Sequence, residues 1–325
     1  MNRRTLLLAC VLLSASAWAG EPPVSAIGAV GITVADMVRS VDFYTRVLGF
    51  TSVSDVEVAG AAYERLRAVF PLRMRVVRLR LGEEDLELTE YLAPRGRPAP
   101  VDARSNDRWF QHVAIVVRDM DAAYRVLHDH GATQVSPDPQ RLPDWNPNAG
   151  GIRAFYFRDP DGHPLELIWF PPGKGDPRWQ RPTDRLFLGI DHTAIAVGDT
   201  RKSLAFYRDR LGLRVVGASE NFGIEQERLN AVRGAHLRIT SLRAAAGPGI
   251  EFLEYLAPRN GRRFPSDERA NDLVHWQTRL VARDEGALDT VGPRRPVAFP
   301  GHELGFARGT TLRDPDGHSL EVVEP

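Results

Sequence analysis

With 325 residues and 43% hydrophobic content, the chain is long enough to bury more than one core. Its 42 Lys plus Arg offset 42 Asp plus Glu, so no whole-chain field favours nucleic acid or an anionic membrane, and a small-molecule or protein partner is expected. The 28 Gly and 24 Pro come without the biased polar stretches that mark disorder.

At the N-terminus, Arg3 and Arg4 precede the apolar run Leu6 to Leu13, and Ala17, Trp18 and Ala19 precede Gly20. That order predicts a signal peptide over residues 1–19, cleaved after Ala19, with export to the periplasm. The run is too short for a membrane span, which needs about 20 apolar residues. Leu7, Leu8, Ala9 and Cys10 imitate a lipoprotein box, although cutting there would leave an apolar run behind the cut; the arginine pair also admits twin-arginine export. Cys10 is the one cysteine, so once the leader is removed a metal must be held by His, Glu, Asp or Gln.

Beyond the leader, an alternating strand running into an Asp and then a helix is predicted at 30–36, and again at 113–119, 193–199 and 278–284. The helix of the second unit is expected over Met120–His130, stopping at Gly131. Further strands are expected at 74–81 and 86–91, and at 236–242 and 250–255. DMVRSVDFYTRVLG at 36–49 returns as DTRKSLAFYRDRLG at 199–212, an offset of 163; YLAPR returns from 91–95 to 255–259, and RDPDGH from 158–163 to 313–318. The chain is therefore a duplication of a unit that itself holds two modules. DPDG is strong turn chemistry, and Glu166 and Glu321 stand four residues after its glycines. His163 and His318, within the turns, are expected to be exposed. Residues 93–108 and 171–185 read as ordered connectors.

DxxxSxxFYxxxLG, HVAIVVRD and RDPDGHPLELI, in this repeated order, resemble the glyoxalase, bleomycin-resistance and extradiol-dioxygenase superfamily of vicinal oxygen chelate proteins. The resemblance spans about residues 26–325. It implies an α+β fold of four βαβββ modules in two tandem glyoxalase-like domains, 24–172 and 186–325, whose curled mixed sheets form cups around a divalent metal. Family ligands come from the first and last strand of each module. Carried over by position, the first-strand places are Ala29, His112, His192 and either Gln277 or His275, and the last-strand places are Glu87, Glu166, Glu251 and Glu321. Alternation on a strand lets such side chains share a concave face. Imidazole with carboxylate suits Fe, Mn, Ni, Co or Zn without choosing among them.

Two pairings of modules are open. Pairing in chain order leaves Ala29, Glu87, His112 and Glu166 one ligand short and offers His192, Glu251, His275 or Gln277, and Glu321 instead. Pairing inner with inner gathers His112, Glu166, His192 and Glu251, and leaves Ala29, Glu87, Gln277 and Glu321 as a degenerate outer site. The second is preferred because it puts every defect in one place. The resemblance then implies a metal-dependent enzyme of dioxygenase or lyase type, monomeric or homodimeric, acting on a small molecule with vicinal oxygens. Glu166 or Glu251 would be the base of a lyase. Tyr156 would belong to a dioxygenase pattern, whose upstream acid–base His has no counterpart at 147–150. Sequestration without catalysis, and thiol or water transfer to an epoxide antibiotic, are the alternatives. Trp145, in the Gly-rich loop 144–151, and Trp276 are candidate pocket residues, and that loop is a candidate lid.

Overall fold

The computed structural model describes residues 21–324; the expected leader and Cys10 lie outside them. Module one comprises β1 (Val24–Val34), α1 (Met37–Asp42), β2 (Thr51–Ala59), α2 (Ala61–Arg67), β3 (Arg73–Leu81) and β4 (Glu84–Ala93). Module two has β5 (Gln111–Val117), α3 (Met120–Asp129), the two-residue strands β6 (Thr133–Gln134) and β7 (Gln140–Arg141), then β8 (Arg153–Arg158) and β9 (Pro164–Trp169). Module three repeats module one with β10 (Phe187–Val197), α4 (Thr200–Tyr207), β11 (Arg214–Asn221), α5 (Ile224–Asn230), β12 (His236–Arg243) and β13 (Gly249–Ala257). Module four closes the chain with β14 (Trp276–Ala282), α6 (Glu285–Val291), β15 (Val297–Ala298), β16 (Arg308–Arg313) and β17 (Ser319–Glu324). The fold is α+β as expected, but α2 and α5 are additions to the expected βαβββ order. No described helix is long and apolar enough to cross a membrane.

Each module's first helix starts on an Asp whose carboxylate accepts a backbone N–H of the first turn: Asp36 from Arg39, Asp119 from Ala122, Asp199 from Arg201 and Asp284 from Ala287. Such a cap stabilises a helix by about 1 kcal/mol. Gly131, at φ +66°, follows the end of α3, a conformation that disfavours any Cβ.

The sheets join modules across the duplication. One runs β11-β12-β13-β10-β5-β9-β8-β6, with β7 beside β8, and its seam is the antiparallel pair β5–β10. The other runs β15-β16-β17-β14-β1-β4-β3-β2, with seam β1–β14. The inner modules therefore pair with each other, as do the outer ones. The apolar cores follow the opposite rule: Tyr44, Leu86, Ile115 and Phe155 of modules one and two share one core, and Tyr207, Phe252, Leu280 and Leu320 of modules three and four share another. Burying each such side chain stabilises by about 1.5–3 kcal/mol, so sheets and cores together tie each module to two others.

The repeated motifs are the ties. Tyr44 donates to Asp159 at 3.1 Å, and Tyr207 to Asp314 at 3.2 Å, joining each FY motif to the DPDGH turn of the next module. His163 and His318, expected at the surface, are both 2% exposed. The tight turn folds each ring inward, where a backbone carbonyl far along the chain receives it: Leu273 for His163 at 2.8 Å, and Ala196 for His318 at 3.0 Å.

Candidate metal centre

The inner sheet curls so that alternate residues of β5, β9, β10 and β13 share its concave face. There His112, Glu166 and His192 each offer one ligand atom, all within 4.8 Å of one another. His112 Nε2 lies 3.0 Å from Glu166 Oε2, and His192 Nε2 lies 3.6 Å from the same oxygen. Glu251 Oε2 is 3.5 Å from His192 Nε2, while its Oε1 accepts a hydrogen bond from Ser241 at 2.6 Å. The first three are buried; the Glu251 side chain keeps 20% of its surface open to the cleft.

His192 is aimed by Asp191, whose Oδ2 faces its Nδ1 at 2.9 Å. Trp179, from a turn in the connector 171–185, and Arg243 both donate to the other carboxylate oxygen, at 3.1 and 2.8 Å. Burial would raise the Asp191 carboxyl, but the His192 hydrogen bond and charge, then Arg243 and Trp179, hold it far below the usual range. Burial also opposes a charge on His192, yet Glu251, Asp191 and Glu166 outweigh it and push the imidazole up to about 9. The set thus calls for a cation. A divalent ion satisfies the same call by replacing the proton, and the residues fit one: His112 Nε2 and His192 Nε2 are buried without a hydrogen-bond partner.

Tyr156 stands opposite Glu166 on β8, its ring 4.9 Å from that of His112. Burial, then the charge of Glu166, keeps its hydroxyl pKa well above the ordinary value, so it is a neutral hydroxyl here. A cavity of about 640 Å³ opens beside Tyr156, Glu166, His192 and Glu251, with Asn148, Asn221, Gln226, Ser241 and Arg243 among its walls. The loop 144–151 borders it through Pro147, Asn148 and Ala149; Trp145 itself is 52% exposed and stacks on Phe222.

The outer cup is built differently. His275 precedes β14 and hydrogen-bonds Glu268, while Gln277 accepts from Arg67. At the next inward place on β14 stands Arg279, whose Nη2 and Nε reach Glu87 and Glu321, both at 2.7 Å. Arg67 Nη1 meets the other Glu321 oxygen at 2.9 Å. Burial works against the Arg279 charge, but Glu321 and Glu87 hold its pKa above the arginine norm. A guanidinium thus occupies the middle of this cup, and the alternates His275, Gln277 and Glu321 all have protein partners. Asp191, Arg279 and Arg67, which shape the two cups, are not singled out by the sequence.

A model of the Glyoxalase/Bleomycin resistance protein/Dioxygenase superfamily matches residues 26–167 and 189–322. Over 161 residues the chain is 38% identical to 2-epi-5-epi-valiolone epimerase of Actinomyces sp, covering 47% of this chain and 84% of that protein. It is 30% identical over 142 residues to the uncharacterized protein YaeR of Escherichia coli, covering 42% and 91%. Glyoxalase I from Zea mays overlays 92% of both chains with a TM-score of 0.59 at 17% identity. A putative dioxygenase from Bacillus subtilis overlays 94% of this chain and 86% of its own, with a TM-score of 0.54 at 13% identity. At those identities the two structures share the fold.

Proposed function

The chain belongs to the Glyoxalase/Bleomycin resistance protein/Dioxygenase superfamily, and from that premise we propose that it is a divalent-metal-dependent enzyme moving a proton at a carbon beside a carbonyl. The observation that carries this is Glu251, the carboxylate left partly open at the cavity while His112, Glu166 and His192 are buried. His112, Glu166 and His192, with Glu251 at the edge, would hold the ion. When bound, it would polarise a carbonyl chelated through two adjacent oxygens. Glu251 Oε2, with Oε1 anchored by Ser241, takes the proton from the neighbouring carbon. Return by Glu251 to the adjacent carbon gives an isomer; delivery of a solvent proton to the opposite face of the same carbon, with Glu251 releasing its proton to solvent, gives an epimer. Neither outcome needs an oxidant.

Two further points favour proton transfer over dioxygenase chemistry. His163, His275 and His318 are committed to partners elsewhere, and among the described residues His192 is the one histidine on the cavity wall, which leaves no further histidine there for acid–base work. The 38% identical relative is by name an epimerase. Amide, hydroxyl and guanidinium groups on the wall suit a small polyhydroxylated ketone.

The test is solvent-deuterium exchange into cyclic α-hydroxyketones, followed by mass spectrometry, alongside metal analysis. Exchange by metal-loaded protein, lowered by about 10²–10⁴-fold in Glu251→Gln with metal retained, is the expected result. Oxygen uptake with catechols and no exchange would sink the proposal in favour of a dioxygenase. No metal in the wild type, and equal metal in His192→Ala, would leave sequestration.

A further inference from the structure

The outer cup holds a cavity of about 300 Å³ beside Arg67. Two differences from the inner cup account for it. Thr311 faces Glu321 where Tyr156 faces Glu166, so a phenol ring is absent. Arg67 ends α2 where Asn230, 163 residues later, ends α5, so a cation stands where the inner cup has an amide. The Arg67 side chain is 2% exposed. Its Nη1 donates to Gln277 and lies 2.9 Å from Glu321, but Nε and Nη2 are buried with no protein hydrogen-bond partner. Buried guanidinium donors without acceptors are costly. Around the same cavity lie Arg269, Arg294 and Arg313; Arg313 pairs with Glu268, whereas Arg269 and Arg294 have no ion-pair partner among the described residues.

We propose that this cavity is a second ligand site, separate from the metal centre, that binds a small oxyanion: a phosphate or carboxylate group on a compact organic molecule. The two free Arg67 nitrogens offer the paired donors that such groups accept, and Arg269 and Arg294 add charge at the rim. The cavity exceeds what an inorganic oxyanion fills, leaving room for the rest of a ligand. A metal ion is disfavoured, since the cationic side chains there outnumber the one carboxylate, Glu268.

Calorimetric titration of inorganic phosphate, and separately of succinate, into the full chain tests this. A His192→Ala background is used so that phosphate on an inner-cup metal contributes nothing. One equivalent of either ligand is expected. Thr311→Tyr, which refills the cavity without removing charge, and Arg294→Gln at the rim should each weaken binding by about tenfold or more, with melting temperatures reporting that both variants fold. Failure of both ligands to bind at millimolar concentration, or equal binding in the parent and both variants, overturns the proposal. Phosphate and succinate affinities together tell a phosphoryl from a carboxylate ligand.

Discussion

Asp191 and His192 are neighbours in the chain and yet hydrogen-bonded partners, Oδ2 to Nδ1 at 2.9 Å. On a regular strand successive side chains point to opposite faces. The register of β10 against β5 slips between Ile190 and His192, a bulge that lets Asp191 swing beside the ring. With Nδ1 held by an ionised carboxylate, Nε2 is the nitrogen that faces Glu166 and Glu251.

Asp191→Asn should therefore weaken metal binding without removing a ligand. Such outer partners are worth about 10–100-fold in metal affinity, and competition with a coloured chelator measures it. His192→Ala should lose metal outright. Equal affinity in Asp191→Asn and wild type would show that the bond does not orient the ligand.

Glu251→Gln separates the two roles that fall on one residue. The amide keeps the Ser241 contact and an oxygen near His192, while it cannot accept a proton. Metal content near one equivalent with exchange lowered by about 10²–10⁴-fold is expected. Loss of the metal itself would place Glu251 among the essential ligands and move the search for the base to Glu166.

The fold was readable because the repeated residues hold modules together. Asp36 and Asp199 cap helices, Tyr44 and Tyr207 grip the DPDGH turns, and strand alternation put His112, Glu166 and His192 on one face. What escaped lies where a local rule gives way to a distant contact. Asp191 needs a bulge. Arg67 sits on α2, a seven-residue helix too short to announce itself by periodicity. His163 and His318 turn inward where the distant carbonyls of Leu273 and Ala196 receive them.

The degenerate cup invites reconstruction. Ala29 stands where the inner cup has His192, Gln277 where it has His112, and Arg279 where it has Ala114. Removing Arg279 alone would take the nearer cation from Glu87 and one of two from Glu321, both buried, at up to about 3–5 kcal/mol. Combining Ala29→His, Arg67→Asn, Gln277→His and Arg279→Ala supplies two imidazoles in place of two guanidinium groups. The combined variant should bind a second metal equivalent by elemental analysis, and that metal should restore much of the stability that Arg279→Ala loses. A single equivalent would mean that the cup no longer closes on a metal.

His163 gives the pH test. Its Nδ1 faces Asp159 at 2.8 Å and its Nε2 faces the Leu273 carbonyl at 2.8 Å, so both nitrogens favour a hydrogen and the ring favours its charged form. Burial alone would lower the imidazole pKa, but Asp159 outweighs it and the value rises above the usual 6.5. Burial would likewise raise Asp159, yet His163 and Tyr44 hold it below the ordinary 3.8. A raised histidine contributes stability fully below its unfolded pKa and loses it as pH climbs through the folded value; a depressed aspartate contributes above its unfolded pKa and loses it as pH falls through the folded one. The pair is thus fully effective between about pH 4 and 6.5. Urea unfolding of wild type and His163→Gln should differ by about 1.5–3 kcal/mol in that window, and the gap should narrow as pH rises past the folded histidine value. A gap that stays constant from pH 6 to 10 would mean that the ring is neutral and the contact is an ordinary hydrogen bond.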